Sequence, residues 1–322
     1  MYSIKELQEL INQRIAGTKY PSVPKELYEP ISYIMGLGGK RIRPTLMLMS
    51  CNLYTDDILP ALDTAVAIEV FHNFTLMHDD IMDMAPIRRG KPTVHEKWNT
   101  SVAILSGDTM LVEAYKLFLS NDTSLLPEIL SVFNKTAVEV CEGQSIDMFF
   151  ESNENVTIDE YVNMIRLKTS VLVGAALKIG GILGGAGKTD ADLLYAFGVN
   201  LGLAFQLQDD ILDIYGDPEK FGKQVGGDIM SNKKTYLLIK AKQLALGDDA
   251  TSLQNWLTSK DPISKVSAIT ALYNKLGVRE LAEKEMNNYS DRALESLEEL
   301  SVSNDRKFML KQFAEGLLLR QS

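Results

Sequence analysis

Cysteine is almost missing from this chain of 322 residues: Cys51 and Cys141 are the only two. Two thiols can build neither a disulfide framework nor a zinc cluster. Both fall in helix-like segments, and the simplest reading is a pair of buried thiols. Strand signals are scarce too, since Val and Ile do not alternate in short runs bounded by turns. No uninterrupted apolar run reaches the length needed to cross a bilayer; the longest candidates, 171–182 and 197–207, are too short or broken by polar residues. The opening "MYSIKELQEL" lacks the apolar core of a signal peptide. Positive charge is in deficit, with 33 Lys and Arg against 43 Asp and Glu for a net charge of −10, which speaks against a nucleic-acid partner while leaving room for a local basic pocket. The expectation is a soluble, cytoplasmic protein with no transmembrane segment and no nucleic-acid ligand.

Helical periodicity fills the space these absences leave. The pattern predicts helices over 3–16, 24–36, 43–53, 58–83, 98–119, 124–150, 157–168, 170–183, 189–214, 230–246, 250–258, 262–276, 278–299 and 303–318. Asp57, Ser124, Thr157, Thr189 and Ser303 are the expected starts, because short polar side chains accept the first free amides of a helix. Glycine-rich pieces at 36–44 ("GLGGKRIRP"), 180–190 ("GGILGGAGKTD") and 215–228 ("YGDPEKFGKQVGGD") interrupt the pattern, but none has the composition of an interdomain linker. Segments 58–83 and 189–214 are long and apolar nearly all round, which puts them at the centre of a bundle. The chain reads as one all-α domain over 1–322.

Each of those two central helices ends in an acidic cluster. "DDIMD" spans 79–83 and "DDILD" spans 209–213. Residues four apart share a helix face, so Asp79 lies beside Asp83 and Asp209 beside Asp213, with Asp80 and Asp210 adjacent. A helix C-terminus is the wrong end for negative charge, because the macrodipole is already negative there. A solvated acidic face would therefore be costly twice over. Hard carboxylate oxygens at this density suit Mg²⁺, which takes a few carboxylates together with waters and phosphate oxygens.

Basic residues accompany each cluster. Arg88 and Arg89 follow the first after Pro86, Lys223 and Lys233 follow the second, and Lys40, Arg41 and Arg43 stand upstream in "GGKRIRP". Guanidinium groups grip phosphate oxygens in bidentate fashion, and lysine adds a point charge. Carboxylates, magnesium and cations together describe a diphosphate site. His72, seven residues before Asp79, sits two turns away on nearly the same face; a hydrogen-bonded core histidine is the plain alternative there.

In order and rough spacing, "GGKRIRP", "HNFTLMHDDIMD", "RRGKPTVH", "GD" at 107–108, "GQSID" at 143–147, "KTS" at 168–170, "FQLQDDILD" and "GKQVGGD" with the following "NKKT" resemble the trans-isoprenyl diphosphate synthase family, the short-chain polyprenyl synthetases. The resemblance covers almost the whole chain. It implies an isoprenoid synthase-type helical bundle with a deep central cavity, assembled as a homodimer. It implies a magnesium-dependent prenyltransferase, with Mn²⁺ as a substitute ion, that joins isopentenyl diphosphate 1′–4 to an allylic prenyl diphosphate. Asp79, Asp80, Asp83, Asp209, Asp210 and Asp213 would bind the metal and act in catalysis with Lys168. Arg88, Lys168, Thr169, Gln206, Lys223 and Lys233 would contact the allylic diphosphate, while Lys40, Arg43, His72 and Arg89 would hold isopentenyl diphosphate. Gln144 and Asp147 would lie near the second cluster.

Product length follows from the depth of the cavity. The resemblance makes the fifth residue before the first aspartate, Phe74, the floor, with small Thr75 beside it, and implies geranylgeranyl diphosphate as product, with farnesyl diphosphate next. By helix angle alone Thr75 lies closer than Phe74 to the Asp79 face. Three other readings stay open: a class I terpene cyclase, a non-catalytic regulatory subunit of a prenyl synthase, and a plain acidic scaffold.

Overall fold

Apolar residues at helical spacing fold as helices almost throughout. A computed structural model describes residues 1–217 and 225–318. The helices are α1 (Ile4–Ala16), α2 (Lys25–Gly36), α3 (Ile42–Asn52), α4 (Leu62–Met82), α5 (Val94–Lys97), α6 (Thr100–Phe118), α7 (Leu126–Ser152), α8 (Ile158–Ile165), α9 (Val171–Gly184), α10 (Lys188–Tyr215), α11 (Gly227–Met230), α12 (Tyr236–Leu244), α13 (Asp248–Leu257), α14 (Pro262–Lys275), α15 (Val278–Glu298) and α16 (Asn304–Leu318). The only strands among the described residues form a small antiparallel hairpin, with Ile87 opposite Pro92 and Arg88 opposite Lys91.

Local chemistry explains most boundaries and corrects several. Ser3 and Thr157 each close a capping box, with Glu6 and Glu160. Asp57 does not start α4; a 3-10 turn at Leu59–Ala61 intervenes. Thr189 falls inside the first turn of α10. The helix expected from 230 begins only at Tyr236, because Asn232 takes a left-handed conformation (φ 55°) and donates from Nδ2 to Leu257 O at 3.0 Å. Between α8 and α9 the chain does not break. A π-turn at Arg166–Ser170 joins them into one helix of 27 residues. This corrects the expectation that no segment reaches membrane-spanning length, for by length and composition this one does. Yet 72% of its most apolar window is buried inside the protein, as in the core helix of a globular fold.

The chain forms two compact units, each gathered from separated stretches. The first takes 1–135, 175–195 and 300–310; the second takes the described residues of 136–174, 196–299 and the stretch after 310. In the first, α4 is buried around most of its circumference, with α6 packed along it and α1 and α3 against it. Phe133 closes this core, its ring 5.0 Å from Phe71 and 4.5 Å from Phe118. The glycines of "GGILGG" do not interrupt α9. Gly180 and Gly184 lie against the backbone of α3 at Met47 and Cys51, a closeness that only a missing Cβ permits.

The core of the second unit joins Tyr161 of α8, Leu207 of α10, Leu237 of α12, Ile269 and Tyr273 of α14 and Val278 of α15. Of the two cysteines, Cys51 is buried, which pushes its thiol up to about 11, with Asp57 adding to the effect. Cys141 is exposed, contrary to expectation, because α7 turns Val140 and Gly143 inward and leaves Val138 and Cys141 outside. Phe133→Ala should lower unfolding free energy by about 3–5 kcal/mol in chemical denaturation, whereas Val138→Ala, on the exposed face of the same helix, should stay within about 0.5 kcal/mol.

Candidate active site

The turn between α2 and α3 carries "GGKR", and its backbone is unusual. Gly38, Gly39 and Arg41 all have positive φ, at 80°, 132° and 49°. Arg41 holds this conformation through its side chain, which donates to Glu69 Oε1 at 2.6 Å, Met35 O at 2.8 Å and Asn12 Oδ1 at 3.2 Å. Glu69 comes from the middle of α4, and both partners of the pair are buried. With Arg41 locked inward, the flanking residues line a pocket of about 450 Å³ that includes Lys40, Arg43, Glu69, His72 and Arg89.

This pocket gathers all four residues expected to hold isopentenyl diphosphate. Arg43 Nη1 lies 3.1 Å from His72 Nε2, and Arg43 Nε is buried without a hydrogen-bond partner. Burial, reinforced by Arg43 and Arg89, holds the His72 imidazole well below its usual range, so it is neutral. Arg89 arrives from the hairpin with φ 52° and donates to Gly38 O. Several cations around one carboxylate leave an excess of donors, which is an anion site.

The first aspartate triad closes α4, as the sequence implied. Asp79 and Asp80 lie in its last turn and Asp83 is its C-cap. Asp80 is buried, while Asp83 is exposed. Burial raises the Asp80 carboxyl, and Arg88 opposes the rise. Arg88 forks onto Asp80, with Nε 2.8 Å from Oδ2 and Nη2 2.7 Å from Oδ1, and its Nη2 is 3.7 Å from Asp79. Phe74, half-buried on the same helix, packs tilted against Phe71 at 5.6 Å and edge-on against His78 at 4.8 Å; Thr75 bonds back to His72 O.

In the second unit a smaller pocket is lined by Asp147, Tyr161, Lys168, Thr169, Gln206, Asp210 and Lys233, among others. It collects four of the residues expected around the allylic diphosphate; Arg88 is not among its lining, and Lys223 lies outside the described residues. Lys168 Nζ donates to Asp147 Oδ2 at 2.6 Å. Asp210 accepts from the Tyr161 hydroxyl and from Gln206 Nε2 at 3.2 Å. Burial, with Asp228 adding its charge, pushes Asp210 up to about 7. Burial opposes the charge on Lys233, but Asp228 and Asp210 outweigh it and hold the ammonium above its usual range. Asp213 Oδ2 accepts from the Asp228 amide at 2.9 Å.

Three participants escaped the sequence reading. Tyr161 and Glu69 stand outside every motif, and Asp228 stood in "GGD" without a role. A charged residue in the middle of the buried helix 58–83 was the signal for Glu69. Gln144, expected near the second triad, keeps its Nε2 buried and unbonded. Among the described residues no three Asp, Glu, His or Cys side chains converge closely enough to hold a metal unaided.

Comparison with known proteins places the chain. The polyprenyl synthetase family model matches residues 24–276. A short chain isoprenyl diphosphate synthase of Methanothermobacter thermautotrophicus is 37% identical over 319 residues, 99% of this chain and 98% of its own. A geranylfarnesyl diphosphate synthase of Natronomonas pharaonis is 35% identical over 278 residues, 81% of this chain and 80% of its own. A crystal structure of a geranylgeranyl pyrophosphate synthase superposes with a TM-score of 0.95 at 44% identity, over 100% of both chains. The chain belongs to the polyprenyl synthetase family of prenyltransferases, and its all-α fold is the isoprenyl diphosphate synthase fold.

The buried Arg41–Glu69 pair yields a stability test. Glu69→Gln should destabilise the protein by about 3–5 kcal/mol, because it leaves a buried guanidinium without its counter-charge. Replacing both partners with apolar residues of similar volume should recover much of that loss, as measured by equilibrium unfolding.

Proposed function

We propose that this protein condenses isopentenyl diphosphate with an allylic prenyl diphosphate, 1′–4, to an all-trans prenyl diphosphate, with geranylgeranyl diphosphate as product. The observation that carries the reading is the pocket in which Lys40, Arg43, His72 and Arg89 surround one anion-sized space. Its volume and its surplus of donors suit a small diphosphate. Neutral His72 adds a hydrogen-bonding group without further charge.

Lys168, Thr169, Gln206 and Lys233 line the second pocket and are assigned, with Arg88, to the allylic diphosphate. The charges of Lys168, Lys233 and Arg88 and the neutral hydrogen-bonding groups of Thr169 and Gln206 stabilise the negative charge that grows on the leaving diphosphate as its C–O bond ionises. The Asp79–Asp80–Asp83 and Asp209–Asp210–Asp213 triads are assigned as magnesium ligands, with manganese the substitute. Their donor set fits: all are hard oxygens, and magnesium draws its remaining ligands from waters and substrate phosphates. When bound, magnesium supplies Lewis-acid stabilisation of the departing diphosphate. Apolar walls exclude water from the allylic cation, and Phe74 is assigned as the end of the space the growing chain can fill. The reading extends to a cytoplasmic homodimer. Exposed Ile104, Leu105 and Val112 on one side of α6, with Leu119 at its C-cap, support contact with a second copy.

The relative of the geranylfarnesyl type makes product length the point to measure. Labelled isopentenyl diphosphate, supplied with Mg²⁺ and each of dimethylallyl, geranyl and farnesyl diphosphate, should give geranylgeranyl diphosphate as the longest main product. Incubation with geranylgeranyl diphosphate alone should give no cyclic hydrocarbon. Phe74→Ala should shift the products longer; an unchanged distribution would put the floor elsewhere. Asp79→Ala and Asp209→Ala should each lower kcat by about a hundredfold or more while leaving the circular dichroism spectrum intact.

A further inference from the structure

The π-turn at Arg166–Ser170 carries Lys168 and Thr169, and its surroundings explain why it exists. A π-turn is an α-helix with one residue too many in a turn, and such turns, rare overall, are frequent at functional sites. Here the Val171 amide reaches back five residues to Arg166 O, and the Ser170 hydroxyl donates to Ile165 O at 3.3 Å. The widened turn pushes its backbone toward two neighbouring helices, and at each point of contact stands a glycine.

On α7 the glycine is Gly143. A Cβ there would lie 2.7 Å from Lys168 Cα and 2.8 Å from the Leu167 carbonyl carbon. On α10 it is Gly202, where a Cβ would lie 2.7 Å from Ser170 Cα, 2.8 Å from its Cβ and 2.9 Å from its Oγ. Real Cβ atoms do not approach others this closely, and main-chain atoms cannot rotate aside as a flexible side-chain tip can. Four residues after each glycine, on the same helix face, stands the group that receives the π-turn's side chain. Asp147 takes Lys168 Nζ at 2.6 Å, and Gln206 Oε1 takes the Thr169 hydroxyl at 3.4 Å. Each neighbouring helix thus offers the same pair, a gap for the backbone and then an acceptor one turn on.

We infer that Gly143 and Gly202 are positioning residues for diphosphate binding: by admitting the π-turn between α7 and α10 they fix where Lys168 and Thr169 present their side chains. The inference rests on the assignment of Lys168 and Thr169 to the allylic diphosphate. Its chemical content is steric. Any side chain at Gly143 drives the Lys168 backbone away from Asp147, and the ammonium with it.

The test compares Gly143→Ala, Gly202→Ala, Gly202→Ala with Ser170→Gly, and Lys168→Ala by steady-state kinetics with each substrate varied, alongside thermal unfolding. Gly143→Ala should raise KM for the allylic diphosphate about tenfold or more, as Lys168→Ala does, and change KM for isopentenyl diphosphate by less than about twofold. Ser170→Gly should restore part of the allylic KM lost in Gly202→Ala, since two of the three crowding atoms belong to the Ser170 side chain. A folded Gly143→Ala with an unchanged allylic KM, beside a Lys168→Ala with a raised one, overturns the inference. So does an equal rise in both KM values, which marks general loosening. If Gly143→Ala does not fold, the Gly202 pair decides: no restoration by Ser170→Gly refutes the crowding. An unchanged allylic KM in Lys168→Ala refutes instead the assignment of the lysine, and the inference falls with it.

Discussion

Carboxylates placed at the C-terminal end of a buried helix oppose one another and the helix dipole at once. Both acidic triads face this problem, and the structure around them is the set of partners that makes it tolerable. Asp80, buried at the end of α4, is gripped by the Arg88 fork, and the hairpin that follows α4 brings that arginine back onto the helix that precedes it. Asp210, buried on α10, is met by the Tyr161 hydroxyl and by Gln206 one turn earlier on the same helix, and Lys233 shares its pocket. The proposed binding of a cation together with a polyanion would relieve the same repulsion.

The cation-rich pocket obeys the same electrostatics with the signs reversed. Lys40, Arg41, Arg43 and Arg89 line one pocket with a single buried carboxylate, Glu69, which pairs directly with Arg41. Arg41 is spent on that carboxylate, and its left-handed backbone sets the turn that presents its neighbours. His72 stays neutral among them because burial and the adjacent guanidinium groups both disfavour a further positive charge. The division is one arginine for architecture and the remaining cations for ligand. The function proposed for the pocket depends on that division.

Much of this was legible in the sequence. The helices fell near their expected places because apolar spacing alone dictates them, and the triads appeared at helix ends because their four-residue spacing is a property of the helix itself. The grouping of Lys40, Arg43, His72 and Arg89 follows from the motif resemblance, and the fold brings all four to one pocket. Less visible was anything that depends on a partner distant in sequence. Tyr161 and Leu207 are equally good core residues by pattern; only the fold shows that one of them carries a hydroxyl to Asp210. Cys141 is exposed rather than buried because its helix hides one face and exposes the other, and the apolar and polar residues of α7 are spread too widely round it to say which. The helix expected over 170–183 runs through Gly180 to Gly184, but only the fold shows the backbone of α3 filling the space beside those glycines.

The π-turn divides the two kinds of information most cleanly. The sequence by itself determined that two apolar helical segments meet near Lys168, that acidic triads close two central helices, and that the chain resembles the polyprenyl synthetases. These follow from local spacing and from motif, which each stretch carries alone. Only the tertiary structure decided that the segments fuse through a widened turn, that Arg41 pairs with Glu69 while Arg43 meets His72, and that Gly143 and Gly202 stand where main chains meet. Close packing between distant segments fixes these features, and the atoms that exclude the alternatives belong to residues elsewhere in the chain.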